Sequence, residues 1–232
     1  MGKIKIRANI LRQEMIARDV FSMVIQAKEI AKQAVPGQFV DLYSADGSKL
    51  LPRPISLCEI DREQGTLRLV YRIAGKGTAE FSTLTSDHTI DVLGPLGNGF
   101  KKEGKKAIII GGGIGIPPML QLAKELDCEK SIVLGYRDEE FLSSEFKPYG
   151  DVYMSSDNGE FGVKGTVMDA IREYAIEHNI KAQISLEERM ACGVGACLAC
   201  VCKSREVDDH SMVHNKRVCK DGPVFYAEEV EL

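Results

Sequence analysis

Four cysteines near the end of the chain have the types and spacing of metal ligands. Cys192, Cys197 and Cys200 form a C-x4-C-x2-C triplet, and Cys219 follows after eighteen intervening residues. Plant-type [2Fe–2S] proteins use this triplet with a distant fourth cysteine. The two glycines between the first two cysteines permit unusual backbone conformations and let amides approach the sulfurs. The pattern predicts a [2Fe–2S] cluster on these four thiolates.

Two other metal arrangements compete with this interpretation. A structural zinc site usually takes paired C-x2–4-C knuckles, which the glycine-containing triplet fits poorly. Cys202 could also act as a ligand, but its neighbours are not glycines and Cys200 already completes the spacing. His210 and His214 lie before the fourth cysteine and could serve a Rieske-like or zinc site, although Cys219 already completes the set.

A second group of residues has the composition of a flavin site. An Arg-Pro-Ile-Ser run is followed by a Val-Tyr-Arg strand end and then by glycines that open a helix. Free amides at a helix start suit a pyrophosphate. By itself the arginine has an ordinary surface interpretation, and only the order of the motifs favours a flavin. The candidate residues are Arg53, Pro54, Ile55, Ser56, Val70, Tyr71, Arg72, Gly77 and Thr78.

A glycine-rich loop is the third candidate site. It follows an apolar strand and precedes a helical pattern, which is the context of a nucleotide-binding loop. The G-x-G-x-x-G pattern is not matched cleanly, so the loop could equally be a tight strand–helix turn. Its glycines are Gly111, Gly112, Gly113 and Gly115. No residue of the chain is predicted to act as a catalytic acid or base.

Composition narrows the class of protein. The chain has 232 residues, a net charge of -4 and 44% hydrophobic residues, which is ordinary globular composition. Lys and Arg are scattered, so neither nucleic acid nor an anionic membrane is an expected partner. The sequence shows neither the apolar core of a signal peptide nor a membrane-spanning run. We therefore expect a cytoplasmic protein, in which seven cysteines are unlikely to form disulfides.

Turn residues and periodicity divide the chain into three predicted domains, 1–101, 102–184 and 185–232. Short strands over Lys3–Ile10, Phe39–Tyr43, Thr66–Arg72 and Thr89–Leu93 indicate an antiparallel barrel or sandwich. One helix is expected after Gly77, capped by Thr78.

The remaining two domains differ from the first. Strands over 106–110, 131–136 and 151–155 alternate with helices over 117–126 and 169–179, which favours a parallel sheet. The last domain has little apolar mass and needs a metal centre to constrain it. The predicted fold class is therefore multidomain α+β, with an antiparallel barrel, a parallel α/β domain and a small cysteine segment.

The motifs together resemble the electron-transfer subunits of type B dihydroorotate dehydrogenases, a family of the ferredoxin–NADP reductase superfamily. The resemblance rests on the motifs above, on Pro36–Phe39 and Gly94–Phe100, and on the runs Ser185–Cys197 and Val218–Phe225. It covers nearly the whole chain. It implies that the barrel binds FAD, with Arg53 on a phosphate and Ser56 near the reactive edge of the flavin ring.

The same resemblance implies a function and partners. The glycine loop would face NAD, and the cysteines would hold the [2Fe–2S] cluster. An FMN-containing catalytic subunit would oxidise dihydroorotate, and electrons would pass through the cluster and FAD to NAD⁺ in pyrimidine (UMP) biosynthesis. The implied assembly is a heterotetramer with two subunits of each type.

One departure from the family keeps other functions open. Relatives carry a strand ending in a Cys-Gly-x-Pro-x-Met type motif between Lys164–Val167 and Ser185, and this chain has none. The nucleotide domain is therefore expected to be shortened by a strand beside the nicotinamide. The alternatives are a reductase subunit of another flavin and iron–sulfur NAD(P)H oxidoreductase, an FAD and [2Fe–2S] relay that does not bind NAD, and a zinc-stabilised interaction module.

Overall fold

A computed structural model describes residues 2–46, 49–165, 183–204, 206–207, 212–226 and 229–230. The helix expected over 169–179 and the candidate ligand His210 lie outside these ranges. Among the helices that are described, none combines the length and the apolar character needed to span a bilayer.

The first part of the chain is a closed six-stranded antiparallel barrel. Its strand order is β1-β2-β5-β4-β3-β6, and the pairing of β6 with β1 closes it. Closure confirms the predicted barrel over a sandwich. The strands are β1 (Ile4–Ala17), β2 (Val20–Gln26), β3 (Phe39–Tyr43), β4 (Arg53–Asp61), β5 (Thr66–Arg72) and β6 (Thr89–Leu96).

Alternation along the strands separates the barrel interior from its outer surface. On β3, Val40 and Leu42 belong to the interior core, whereas Phe39 packs in a separate core on the outside. Asp41 has the same parity as Phe39 and therefore also points outward. The outer face of β3 is thus available to support another part of the chain.

Two short helices connect the barrel strands, α1 (Lys28–Ala31) and α2 (Lys76–Phe81). The expected cap of α2 is wrong by three residues, because Gly75 is the N-cap and Thr78 lies in the first turn. The Thr78 hydroxyl accepts hydrogen bonds from the amides of Ala74 (2.9 Å) and Gly75 (3.2 Å). Thr78 therefore secures the helix start from inside the first turn.

The second part is a parallel sheet that packs on the barrel. Its strands are β7 (Lys106–Gly112), β8 (Glu129–Tyr136), β9 (Asp151–Ser156) and β10 (Val163–Lys164), in the order β10-β9-β8-β7. Helices α3 (Pro117–Glu125) and α4 (Ser143–Phe146) join them. Every neighbouring pair is parallel, as predicted.

The barrel and the sheet share a buried core and an ionic contact. Gln121 of α3 accepts a hydrogen bond at 2.8 Å from the amide of Ile60 in β4. Arg68 of β5 donates to Glu145 of α4 at 2.6 and 3.0 Å and to Glu59 of β4 at 2.7 Å. These contacts hold the two parts in one arrangement.

The third part consists of two small antiparallel sheets of two strands each. Strand β11 (Gln183–Ser185) pairs with β14 (Val224–Tyr226), and β12 (Val201–Lys203) pairs with β13 (Asn215–Arg217). Their side chains form a small core against the outer face of the barrel. That core contains Phe39, Leu96, Cys200, Val218, Cys219, Phe225 and Val230.

Candidate functional site

The cysteine loop lies on the outer face of the barrel and has a buried and an exposed side. Cys200 and Cys219 are each 2% exposed and belong to the core against β3 and β6. Cys192 is half-buried, and Cys197 is exposed to solvent. The loop therefore presents one edge to the barrel and the other to the outside.

Backbone amides of the loop point at the cysteine sulfurs. Ala196 and Val194 donate to Cys192 Sγ at 3.2 and 3.5 Å, and Gly195 donates to Cys219 Sγ at 3.2 Å. Gly195 has a φ of +84°, a conformation that side chains disfavour. Amides directed at sulfur stabilise thiolates, which is what a metal requires of its ligands.

The electrostatics of the loop favour a thiolate at its first cysteine. Burial acts against ionisation of Cys192, but the amides of Val194, Cys197 and Ala196 lower its pKa to about 6. Burial, followed by the neighbouring Cys200 thiol, raises the pKa of Cys219 to about 12. The positive charge of a bound metal would hold the Cys219 thiol ionised as well.

The four thiols are arranged as two pairs. Cys197 contributes to the lowered pKa of Cys192, and the Cys219 amide donates to Cys200 Sγ at 3.4 Å. Within the part of the chain that the structure describes, no three His, Cys, Asp or Glu side chains enclose a single point. A [2Fe–2S] cluster takes two protein ligands on each of its irons. The pairing therefore fits a binuclear cluster on these residues.

The other three cysteines have different surroundings, although Cys202 packs against the same small core as Cys200 and Cys219. The Cys202 thiol lies on β12 and donates to the backbone oxygen of Lys216 at 3.6 Å. Cys58 is fully buried between the barrel and the sheet, and burial raises its pKa. Cys128 lies between α3 and β8. All seven cysteines are free of disulfides.

The arginine of the flavin motif lies beside the start of α2. Its guanidinium donates to the backbone oxygens of Leu51 (2.7 Å) and Pro52 (3.2 Å). A Cβ on Gly77 would come within 2.6 Å of Arg53 Nε, so a side chain there would displace the guanidinium from its present position. The structure thus brings together Arg53, Gly77 and Thr78, and this cationic cradle fits a pyrophosphate.

The remaining flavin candidates divide between two surfaces. Ile55 faces the barrel interior, whereas Pro54 and Ser56 lie on the outward face beside their partners on β3. Tyr71 points into the barrel core and donates to Gln13 Oε1 at 2.9 Å.

The neighbours of Tyr71 on β5 also differ in exposure. Val70 packs in the core shared with the sheet, and Arg72 is exposed. The Tyr71 side chain therefore supports the barrel from within, and its backbone is the part left to face a ligand.

The glycine loop lies at the carboxyl end of β7. Strand β7 extends through Gly112, a single 3-10 turn covers Gly113–Gly115, and α3 begins at Pro117. A Cβ on Gly111 would meet the backbone of Ile116 at 2.9 Å, whereas the space around Gly112, Gly113 and Gly115 is open. Open glycines at the carboxyl edge of a parallel sheet fit a dinucleotide.

Several residues at the junction between barrel and cysteine segment were not predicted. Asp41 of β3 is 1% exposed and lies against Gly193 in the cysteine loop. Arg217 donates to Asp221 beside the fourth cysteine at 3.0 Å, and Asn98 donates to the Asp221 backbone oxygen at 2.7 Å. The local sequence does not mark Asp41 or Asn98, because their partners are distant along the chain, whereas Arg217 and Asp221 are only four residues apart.

An antiparallel barrel, a parallel sheet and a cysteine segment with paired thiols define an iron–sulfur reductase of the ferredoxin–NADP reductase type. The solved structure of an NADH-dependent reduced ferredoxin–NADP oxidoreductase has the same fold. It superposes with a TM-score of 0.86 at 28% identity, over 97% of this chain and 89% of that one. A family model described as the iron–sulfur cluster binding domain of dihydroorotate dehydrogenase B matches residues 187–231.

Two curated relatives extend the likeness to nearly the whole chain. Both are named dihydroorotate dehydrogenase B (NAD(+)), electron transfer subunit. The protein from Fusobacterium nucleatum is 39% identical over 251 residues, covering 94% of this chain and 95% of its own length. That from Bacillus cereus is 39% identical over 254 residues, covering 96% and 97%. The chain belongs to this family of electron transfer subunits, and so works with a catalytic partner subunit.

The alignment also measures how this chain differs from its relatives. It spans 251 positions but uses 94% of 232 residues, or about 218, so about 33 positions face gaps in this chain. A gap of this total size agrees with a nucleotide domain that lacks a strand and its connection. The expected place of that loss, between Val167 and Ser185, includes residues outside the described ranges.

Proposed function

We propose that this chain passes electrons from a dihydroorotate-oxidising partner through a [2Fe–2S] cluster and FAD to NAD⁺, in pyrimidine biosynthesis. The names of the relatives support the substrate and the acceptor, and the family model supports the cluster. The partner is an FMN-containing subunit, and the assembly holds two subunits of each type. The working compartment is the cytoplasm, which keeps such cysteines reduced.

The main support for this proposal is the packing of the cysteine segment on β3, the strand that pairs with β4 of the flavin motif. Phe39 of β3 pairs with Ser56 of the flavin motif and packs in one core with Cys200 and Cys219. The candidate cluster site on β3 and the candidate flavin site on β4 therefore lie on adjacent, paired strands. Electrons cross only short distances between redox groups, so this adjacency is what a relay needs.

Each proposed domain has one binding task. Domain 1–101 holds FAD, with Arg53 and the start of α2 on its phosphates and Ser56 beside the ring. Domain 102–184 faces NAD through the glycines of 111–115, and domain 185–232 holds the cluster on the four paired cysteines. When bound, the flavin links one-electron and two-electron carriers, because a nicotinamide exchanges electrons in pairs.

The exposed edge of the cysteine loop is the proposed docking side for the partner. Cys197 and the adjacent Leu198 are exposed, and Val201 and Met212 add further exposed apolar area. Exposed apolar side chains of this kind mark interaction surfaces. Electrons would thus enter at the outer edge, through Cys197, and leave through the buried edge beside β3.

Reduction by NADH tests the proposal. The chain is purified with its partner, flavin and iron are quantified, and the flavin absorbance is recorded after NADH is added. We expect one FAD and two irons per chain and bleaching of the flavin band. A colourless preparation containing zinc but no iron would disprove the cluster assignment.

A second function is favoured by the gap of about 33 positions relative to the family. If the missing segment removes the nicotinamide site, the chain is an FAD and [2Fe–2S] relay without NAD chemistry. Dihydroorotate would then bleach the flavin through the partner, whereas millimolar NADH would leave it oxidised. Bleaching by both reagents supports the NAD-linked reductase.

A further inference from the structure

A buried carboxylate lies between the cysteine loop and the flavin strand. Asp41 is on β3, pairs with Pro54 of the flavin motif and points to the outer face of the barrel. Its carboxylate is so close to Gly193 that a Cβ there would overlap Oδ2. Gly193 directly follows the first cluster cysteine, Cys192. Asp41 therefore lies beside the strand that carries the flavin motif and against the cysteine loop.

Within the described part of the chain, no hydrogen bond or ion pair compensates the charge of Asp41. Within the described residues, neither carboxylate oxygen has a hydrogen-bond partner. On the same face it neighbours Phe39, and its partner on β6 is Leu93. An unpaired carboxylate in such a place is expensive, and an apolar residue of similar size would pack without this cost. Packing alone therefore does not explain an aspartate here.

The position of this charge suits the control of a redox group. A negative charge opposes the arrival of an electron nearby, and the effect is strong where water is excluded. Burial raises the pKa of Asp41 to about 6, so the carboxylate is still ionised in mildly alkaline solution. Its field also reaches Tyr43, whose pKa is raised by burial and then by Asp41.

We propose that Asp41 is a tuning residue that lowers the reduction potential of the cluster held by the cysteine loop. This inference rests on the proposed function, because it requires a cluster on the four cysteines. The low potential would keep electrons from staying on the cysteine site and favour their passage to the flavin beside the neighbouring strand β4.

The test is a redox titration of the purified complex at pH 8, in which the amount of reduced cluster is measured by electron paramagnetic resonance. Asp41→Asn removes the charge at nearly constant shape, and Asp41→Ser removes it with a smaller side chain. Asp151→Asn is the matched control, since Asp151 is an exposed carboxylate at the start of β9. Iron content is measured for every variant.

In both Asp41 variants we expect the ratio of reduced to oxidised cluster at a given potential to rise about tenfold. For a one-electron couple this is a shift of about 59 mV toward positive potential. The Asp151 variant should titrate like the wild type. The tuning role would be overturned if the ratio of reduced to oxidised cluster rose less than threefold or fell. It would also be overturned if the ratio rose in only one of the two Asp41 variants. A wild-type complex without a cluster signal would instead overturn the proposed function itself.

Discussion

Replacing Gly193 with alanine tests how tightly the cysteine loop packs on the barrel. Gly193 has a φ of +65°, and a side chain in this region costs about 1–2 kcal/mol. The added methyl would also overlap Asp41 Oδ2, and Asp41 is buried on a strand and cannot swing away. Overpacking of this kind costs about 1–3 kcal/mol. We therefore expect Gly193→Ala to destabilise the protein by about 2–5 kcal/mol.

Gly113→Ala separates the two contributions to that cost. Gly113 has a φ of +51°, but nothing lies within 4 Å of a Cβ built there, so this variant pays only for backbone strain. The assay is thermal unfolding of the complex together with iron content per chain. Because 1 kcal/mol shifts Tm by about 2–4 °C at this chain length, Gly193→Ala should melt about 2–12 °C below Gly113→Ala.

A double variant tests whether the Asp41 carboxylate causes the overpacking in Gly193→Ala. Adding Asp41→Ala to Gly193→Ala removes the overlapping carboxylate and should recover the overpacking part of the loss, but not the strain. Iron content should recover with Tm, because the loop then regains its position on β3. Equal melting of Gly193→Ala and Gly113→Ala, or an absence of rescue, would show that Asp41 does not pack against this loop.

Three further outcomes follow from the contacts described above. Arg68→Met should lower the free energy of unfolding by about 2–3 kcal/mol in urea titrations, because it removes the ion pair of Glu145 and leaves Glu59 with Lys124, at the junction of barrel and sheet, and the partial exposure of both carboxylates softens the loss. Although burial opposes it, hydrogen bonds from neighbouring cations hold the pKa of Glu59 below its usual value. Its stabilisation is therefore complete above its unfolded pKa of about 4.3 and is lost as pH falls through the lower folded pKa, so Arg68→Met should flatten the acid limb of a stability–pH curve. Cys219→Ser should lose most of the iron and the brown colour, whereas Cys202→Ser should keep both, as metal analysis would show.

Much of the barrel could be predicted from local sequence. The strands at 39–43 and 66–72 have the expected bounds, because alternation and flanking turn residues mark both ends. No bounds were predicted for strands β2 and β4, although Cys58 of β4 was expected to lie in a strand. Both are buried on much of their two faces, which blurs the period of two, and the second residue of β4 is a proline, which usually weakens a strand assignment. Closure into a barrel depends on β1 meeting β6, which local pattern cannot indicate.

The candidate site was also predictable from local sequence only in part. Spacing alone selected Cys192, Cys197, Cys200 and Cys219 over Cys202, since short-range geometry decides which thiols one loop can gather. Spacing could not reveal that the pKa of Cys192 is lowered whereas that of Cys219 is raised. Those shifts come from amides and from burial against the barrel, which exist only in the folded chain.

The sequence by itself determined the chemistry that this protein can host, because ligand types, glycine positions and strand periods are local properties. Only the tertiary structure decided how those pieces face one another. It placed the cysteine loop on the outer face of β3, next to the flavin motif on β4, and it buried Asp41 between them. Contacts between Asp41 and Gly193 join residues far apart in the chain, so they follow from packing and not from any local pattern.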